Sequence, residues 1–309
     1  MTSLLIHDSL FQKHLVPAGH PERPARLEAV DKALAMPEFS ALKRELAVKA
    51  PLEAAELAHP AAYLRAIADA SPDGDFYFFD ADTPMSRASL DVALHAVGSA
   101  MHAVDAVMSG SVANAFVASR PPGHHAERAT AMGFCYFNNI AIAARHAQKV
   151  HGAERIAIVD WDVHHGNGTQ DIFWDDSSVL FCSTHEMPLY PGSGAKSEQG
   201  EHGTILNVPL RAGDDGAVFS HVFRTSILPR VRDHAPDLIL ISAGFDAHKR
   251  DPLANLQLEA ADFAWATEEL MEIATKQCKG RIVSLLEGGY DLQGLADSVS
   301  AHVRTLMRA

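Results

Sequence analysis

The feature that most constrains the fold of this chain is an apolar run that changes abruptly into ionisable residues. Residues 156–159 are Ile-Ala-Ile-Val, which is typical of a strand covered on both faces in a parallel sheet. The next six residues include Asp160, Asp162, His164 and His165, and two glycines, Gly166 and Gly168, follow them. Because buried charges are costly unless they are paired or bind a metal, these residues are predicted to form a site rather than core.

The same change from apolar to ionisable residues recurs along the chain. Residues 115–118 lead to His124 and His125, and the apolar run before Gly244 leads to Asp246. Helical patterns separate these runs, and strands that alternate with helices predict a parallel sheet with helices on both faces. Ligands of such sheets bind at the carboxyl ends of the strands. We therefore expect one α/β domain over residues 1–309.

Some segments are less distinctive. Residues 40–50 look helical or mixed, residues 76–84 are aromatic and acidic and are predicted to form an exposed loop, and residues 221–231 are predicted to be helical.

Composition narrows the choice of partners and compartment. The net charge of −13 argues against a nucleic-acid partner. Three cysteines without a Cys-x-x-Cys pair indicate a reducing compartment, and no signal peptide is expected from the opening residues. No apolar stretch reaches the length of a membrane span, so we expect a cytoplasmic protein with no membrane partner. The oligomeric state is left open, a homo-oligomer included.

The charged residues after the strands have the composition of a metal site. Asp162 and His164 share one side of an extended chain because strand side chains repeat every two residues. Asp246 is the candidate third ligand. Two carboxylates and one imidazole suit Zn²⁺ or Fe²⁺ and leave positions for water and substrate.

The remaining residues of these clusters supply proton transfer and oxyanion stabilisation. His124 and His125 are candidate acid and base, and Asp160 is available to orient one of them. Tyr290, after Gly288 and a second glycine, can donate to a developing oxyanion, while the glycines let the backbone approach a ligand. Together these groups indicate metal-assisted hydrolysis of an amide.

Four motifs, in this order, resemble those of the histone deacetylase superfamily. They are Pro-Pro-Gly-His-His at 121–125, Asp-x-Asp-x-His-His-Gly-Asn-Gly at 160–168, Ala-Gly-Phe-Asp at 243–246 and Glu-Gly-Gly-Tyr at 287–290. That superfamily includes acetylpolyamine amidohydrolases and acetoin-utilisation proteins and shares its fold with arginases. The resemblance implies an arginase/deacetylase-like three-layer α/β fold, with a central sheet of about eight parallel strands flanked by helices.

The resemblance also assigns roles at the centre of the site. It implies zinc ligands at Asp162, His164 and Asp246. It implies that His125 is the main general base and acid, and that Tyr290 polarises the acyl carbonyl. His124 becomes the electrostatic partner, hydrogen-bonded to Asp160.

Further positions match the substrate channel and the surroundings of the site. Gly133, Phe134 and Tyr190 match the lining of a narrow acyl-lysine tunnel, Gly288 lies beside the ligand, and Asp82 matches a rim aspartate that holds the substrate backbone, with Asp80 close by. Arg26 matches the arginine of an internal cavity associated with acetate release. Structural K⁺ is implied at the backbone of residues 160–164 and Ser183.

Three residues place the chain within the superfamily. Asn167 stands where class I enzymes have an aspartate, and both Asn167 and Glu287 are class II-like. An amide does not stabilise an imidazolium as a carboxylate does, which bears on the role of His125. Leu253 stands where polyamine-selective eukaryotic relatives carry a glutamate, and this favours acyl-lysine.

The expected function is zinc-dependent removal of acetyl or short acyl groups from the ε-amino group of lysine in proteins or peptides. The alternative is an acetylpolyamine amidohydrolase, for which Asp73, Asp75, Asp80 or Asp82 could serve as an acidic gatekeeper. A non-catalytic binding module for acyl-lysine or a small ligand is a third interpretation, from a different class of function.

Overall fold

The computed structural model describes residues 2–309. Its ten strands are, in chain order, β1 Leu4–His7, β2 Lys43–Glu45, β3 Tyr77–Phe78, β4 Pro84–Met85, β5 Asn114–Ala118, β6 Ile156–Asp160, β7 Val179–Glu186, β8 Ile205–Leu210, β9 Leu238–Ala243 and β10 Ile282–Leu286.

Helices fill most of the intervening chain. They are α1 Ala25–Leu34, α2 Ala61–Asp69, α3 Ser89–Met108, α4 Asn139–His151, α5 Asn167–Ile172, α6 Gly216–Val222, α7 Leu228–His234, α8 Ala260–Gln277 and α9 Leu292–Leu306. Short 3-10 helices lie at Ser9–Lys13, Pro37–Phe39 and Leu52–Leu57, and a π-helical turn, Phe223–Ile227, joins α6 to α7.

Eight of the strands form one sheet in the order β2-β1-β5-β10-β9-β6-β7-β8. Every neighbouring pair in this sheet is parallel. The strand order and the flanking helices confirm the expected α/β fold with an eight-stranded parallel sheet.

Alternation along the strands builds a core on each face of the sheet. In β6, Ala157 and Val159 pack with side chains of α1, α6, α7, α8 and α9. Ile156 and Ile158 face the other way and pack with α3 and α4. Because both faces are covered, the strand is apolar at every position, which explains the uninterrupted run in the sequence.

Three segments differ from the sequence-based expectation. Lys43–Glu45 is a short parallel edge strand rather than a helix, and its polar side chains are tolerated because an edge strand is partly solvated. Within residues 76–84, Tyr77–Phe78 pairs antiparallel with Pro84–Met85. The helix expected at 221–231 begins earlier, where Asp215 caps it, and the π-helical turn interrupts it.

Among residues 2–309, no helix combines the length and apolar character required to cross a membrane.

Candidate metal centre and active site

The site lies at the carboxyl ends of the four central strands, β5, β10, β9 and β6. Their sheet order explains why residues that are distant in sequence meet. His124 and His125 follow β5, Asp160 ends β6, Asp246 follows β9 and Tyr290 follows β10. A crevice at this edge is the usual ligand position in an open α/β sheet.

Asp162, His164 and Asp246 converge as the sequence predicts. His164 Nδ1 lies 3.1 Å from Asp162 Oδ1 and 3.1 Å from Asp246 Oδ2. Ligand atoms of a tetrahedral zinc ion lie about 3.4 Å apart, so both of these distances are close to the spacing of a metal site. All three residues are buried or nearly so.

Backbone groups aim the two carboxylates at this centre. Gly288 N–H donates to Asp162 Oδ2 at 2.8 Å, and Val163 N–H donates to Asp246 Oδ1 at 2.8 Å. One oxygen of each carboxylate is thereby anchored, and the other faces His164. A Cβ at Gly288 would lie 2.1 Å from Asp246 Oδ2, so only glycine permits this approach.

The charges of the three ligands fit a divalent cation. Burial, with the adjacent carboxylate of Asp162, raises the pKa of Asp246 to about 7. His164 and His124 outweigh burial and hold the pKa of Asp162 well below its usual range. Two buried carboxylates this close repel each other, and a bound cation would neutralise both.

The two histidines after β5 occupy different electrostatic environments. His124 Nδ1–H donates to Asp160 Oδ2 at 2.9 Å. Burial alone would lower the pKa of His124, but Asp160 and Asp162 raise it well above the ordinary value. Burial, with the neighbouring His124 and His164, lowers the pKa of His125 well below the ordinary value. The pair therefore combines a cationic imidazole with a neutral one.

Asn167 lies where the sequence predicts, against His125. His125 Nδ1–H donates to Asn167 Oδ1 at 2.8 Å. The two imidazole centroids of His124 and His125 are 4.0 Å apart.

Glu287 has a structural role that sequence reasoning did not assign. Its Oε2 accepts the backbone N–H groups of Gly123, at 2.7 Å, and His124, at 3.2 Å. Burial raises the pKa of Glu287 to about 7. In the sequence, the position of Glu287 before Gly-Gly-Tyr indicates only the subfamily.

A cavity of about 310 Å³ leads to the cluster from the surface. It contains every tunnel and rim residue predicted from the sequence apart from Gly288: Asp82, Gly133, Phe134, Tyr190 and Leu253. His125, His164 and Tyr290 also line it. His20, Pro21 and Leu189 complete the lining and were not predicted; the only available signal was the Gly-His-Pro turn at 19–21.

Gly133 and Phe134 line the cavity in an unusual backbone conformation. Both have positive φ, 56° and 68°. A Cβ at Gly133 would lie 2.4 Å from the ring of His125, so this glycine lets the loop cover the imidazole. A positive φ is costly for phenylalanine, and such strain is often kept at functional sites.

Asp82 and Asp80 lie together at the rim of the cavity. Asp82 N–H donates to Asp80 Oδ1 at 3.1 Å, and His20 Nε2–H donates to the Asp82 carbonyl at 3.0 Å. Burial, with the neighbouring Asp80 side chain, raises the pKa of Asp82 to about 6.

Arg26 is fully buried behind Tyr290. Its guanidinium lies 4.9 Å from the centroid of the Tyr290 ring and donates to the carbonyls of Glu287 and Gly289. Glu22 pairs with it at 2.9 Å and with Arg120 at 2.5 Å. Sequence reasoning assigned no role to Glu22 or Arg120, although Arg120 directly precedes the Pro-Pro-Gly-His-His motif and Glu22 is in the Gly-His-Pro-Glu-Arg segment.

Ser183 is buried on β7 in register with Asp160 of β6. Its hydroxyl is hydrogen-bonded to His185 Nδ1 at 2.9 Å. The adjacency keeps the two residues together as the predicted potassium site requires, and the ion itself stays a prediction.

A second group of metal-ligating residues lies away from this cavity, on α3 and α4. Asp105 Oδ1 accepts hydrogen bonds from His146 Nε2 and His151 Nε2, each at 2.7 Å. The carboxylate therefore already satisfies both imidazoles, and nothing links this group to the cavity.

Comparison with known proteins agrees with this geometry. The family model described as "Histone deacetylase domain" matches residues 20–306. Histone deacetylase 14, chloroplastic, of Arabidopsis thaliana is 41% identical, covering 94% of this chain and 73% of the relative. A probable deacetylase of Archaeoglobus fulgidus is 40% identical, and the match covers 95% of this chain and 82% of the relative.

The fold has a close counterpart among solved structures. The crystal structure of the HDA15 HD domain superposes with a TM-score of 0.94 at 34% identity, covering 100% of this chain and 89% of that one. This likeness confirms the arginase/deacetylase-like α/β fold. The match over nearly the whole chain, the shared fold and the convergent motifs lead to one conclusion: the chain belongs to the histone deacetylase superfamily, a family of deacetylases.

Proposed function

We propose that this protein is a zinc-dependent amidohydrolase that removes acetyl or short acyl groups from the ε-amino group of lysine in proteins or peptides. The observation that carries the proposal is the convergence of Asp162, His164 and Asp246 with His125 and Tyr290 at one cavity. A ligand set, a neutral imidazole and a phenol in one place are the components of metal-assisted amide hydrolysis.

The lining of the cavity supports an acyl-lysine substrate. Phe134, Tyr190, Leu189 and Leu253 give it largely apolar walls. Such walls suit the aliphatic stem of lysine, which is uncharged along its length. Acylation also converts the charged ε-ammonium group at its end into a neutral amide. The carboxylate of Asp82, which lines the cavity at its rim, would accept hydrogen bonds from the substrate backbone.

The chain's own residues account for the proton transfers. Asp162, His164 and Asp246 would hold the zinc ion, and the ion would supply Lewis-acid chemistry for an acyl carbonyl and a water molecule. His125, neutral and with Nδ1–H already donated to Asn167, has Nε2 free to take the water's proton and later to protonate the leaving amine. Cationic His124 stabilises negative charge nearby, and Tyr290 donates to the acyl oxygen as it becomes negative.

A substrate panel on metal-analysed protein tests this function. We expect one zinc per chain at the site and hydrolysis of acetyl-lysine peptides with release of acetate. Zinc content is measured by mass spectrometry of the metal, and product by free-amine detection. Absence of turnover on every acyl-lysine substrate by the zinc-loaded protein would reject the proposal.

An acetylpolyamine amidohydrolase is the second candidate, and one feature of the rim favours it. Asp80 and Asp82 form a carboxylate pair beside the cavity, which would attract a secondary ammonium. The apolar Leu253 in the lining offers no such charge. N-acetylputrescine and N-acetylspermidine in the same panel separate the two, since turnover of these amines alone would select the second candidate.

Two further expectations belong to this proposal. Structural K⁺ beside Asp160 and Ser183 would hold the end of β6. A cytoplasmic location stays a prediction, since the Arabidopsis relative is described as chloroplastic.

A further inference from the structure

The surroundings of the Asn167 side-chain amide are unusually one-sided. Its Oδ1 accepts from His125 Nδ1–H at 2.8 Å. Its Nδ2 faces acceptors: Glu127 Oε1 at 2.9 Å, Met132 Sδ at 3.3 Å and the His125 carbonyl oxygen at 3.5 Å. The nitrogen end of the amide is therefore matched entirely to groups that receive hydrogen bonds.

These contacts fix which way the amide points. Rotating it by 180° would place Oδ1 against the acceptors and Nδ2 against His125 Nδ1. Of the acceptors, the carboxylate of Glu127 binds an N–H most strongly because the bond is charge-assisted. Glu127 is itself held in place, since its N–H donates to the Thr130 carbonyl at 3.0 Å.

The orientation of the amide in turn sets the tautomer of His125. With Oδ1 facing the ring, Nδ1 must carry the proton, which leaves Nε2 as the proton acceptor on the side of the cavity. We propose that Glu127 is a positioning residue of the reaction: its carboxylate orients the Asn167 amide, and the amide holds His125 in the tautomer that serves as base. This inference rests on the proposed deacetylase function.

The same contacts couple the identities of positions 127 and 167. An aspartate at 167 would place a second carboxylate about 3 Å from Glu127, where like charges repel strongly. A glutamine at 127 would remove that repulsion and could donate its amide N–H to the new aspartate. The damage from Asn167→Asp is therefore expected to depend on Glu127.

Four variants of the zinc-loaded enzyme test this coupling with an acetyl-lysine peptide. Glu127→Ala should lower kcat about 10-fold with little change in KM, whereas Glu127→Gln, which keeps an acceptor oxygen, should stay within about 3-fold. Asn167→Asp should lower kcat about 100-fold. The double variant Asn167→Asp/Glu127→Gln should recover about 10-fold of that loss, a coupling of about 1.4 kcal/mol.

Controls separate positioning from simple support of the fold. Zinc content and thermal midpoint are measured for every variant, and Glu154→Gln, an exposed glutamate near the opposite end of β6, serves as the matched control. If the substitutions only weakened the fold, the thermal midpoint would fall in all variants and kcat would not recover in the double variant. A kcat for Glu127→Ala within about 2-fold of wild type, or a double variant no better than Asn167→Asp, would overturn the inference.

The outcome also distinguishes the two proposals. If the zinc-loaded wild-type protein has no acyl-lysine activity, the proposed function fails. If it is active and positions 127 and 167 show no coupling, the function stands and the role of Glu127 is rejected.

Discussion

Tyr290 brings a phenol into the cavity from the end of β10, with the buried Arg26 guanidinium behind its ring. Burial raises the pKa of Tyr290 well above its ordinary value, although Arg26 acts against this. The phenol is therefore neutral at physiological pH and can donate a hydrogen bond.

Replacing Tyr290 with phenylalanine removes this donor and leaves the ring. We expect kcat on acetyl-lysine peptide to fall about 10²–10³-fold, because loss of an oxyanion donor costs about 2.7–4 kcal/mol of transition-state stabilisation. Zinc content should be unchanged, since Tyr290 is outside the ligand set. Tyr77→Phe, at an exposed tyrosine of β3, is the control, and wild-type kcat in Tyr290→Phe would exclude it from the chemistry.

The contacts of some single residues could be predicted from the sequence, and those of others could not. The convergence of Asp162, His164 and Asp246 was predictable because each lies in the loop after an apolar strand and carries a group that strand packing does not need. The contacts of Glu22 and Glu127 were not predictable from the sequence, because they depend on which groups the fold brings beside these residues. Glu22, for example, pairs with Arg120, which is 98 residues away in the sequence.

At the scale of elements, the ends of β6, β9 and β10 are packed too closely for side chains at some positions. Gly288 is one of these, and its φ does not require glycine. Its constraint is contact with the carboxylates of Asp162 and Asp246.

Gly288→Ala is therefore expected to disturb the metal site more than the fold. Its Cβ would lie 2.1 Å from Asp246 Oδ2 and 2.5 Å from Asp162 Oδ2, so the ligands must move. We expect zinc affinity to fall about 10–100-fold, the range that displaced supporting groups typically cause. Competition with a chromophoric chelator measures it.

Gly74→Ala is the matched control, because a Cβ there meets open space. Circular dichroism should show similar secondary structure in both variants. Wild-type zinc affinity in Gly288→Ala would mean that the close packing at this strand end is not needed for the ligands.

Elements were predicted well where their patterns were long and less well where they were short. Runs of apolar residues in the sequence predicted the four buried strands β5, β6, β9 and β10. The edge strand β2 is three polar residues, so it has neither apolar alternation nor length, and only its pairing with β1 defines it. The π-helical turn between α6 and α7 likewise has no signal in apolar periodicity.

At the scale of the whole molecule, the network around Glu22 ties the segment before α1 to the ends of β5 and β10. Arg120 donates to both oxygens of Glu22, at 2.5 and 2.6 Å, and Arg26 adds a third contact. Burial would raise the pKa of Glu22, but Arg120, His14 and Arg26 hold it well below its ordinary value of 4.5. The carboxylate therefore balances two buried cations.

Glu22→Gln should lower the free energy of unfolding by about 3 kcal/mol at pH 7, because it leaves buried arginines without their anion. The depressed pKa sets the pH dependence: the stabilisation is complete above the unfolded-state pKa and is lost as pH falls towards the folded-state value. The gap between wild type and variant should thus be constant from about pH 6 to 8 and narrow below about pH 4.5.

Urea unfolding across this range measures the gap. Glu38→Gln is the control, since its ion pair with Arg304 is half exposed and should contribute under about 1 kcal/mol. A gap that widens as the solution is acidified would contradict the assigned direction.

The order of the strands in the sheet affects how the protein folds. Neighbours in the centre of the sheet come from distant parts of the chain: β5 beside β10, and β6 beside β9. Such pairings give a high contact order, which slows folding because long loops must close before the contacts form. On a ribosome, two of the three candidate ligands, Asp162 and His164, emerge well before Asp246. Binding of the proposed zinc ion through all three residues would therefore be a late event of synthesis, after β9 has entered the sheet.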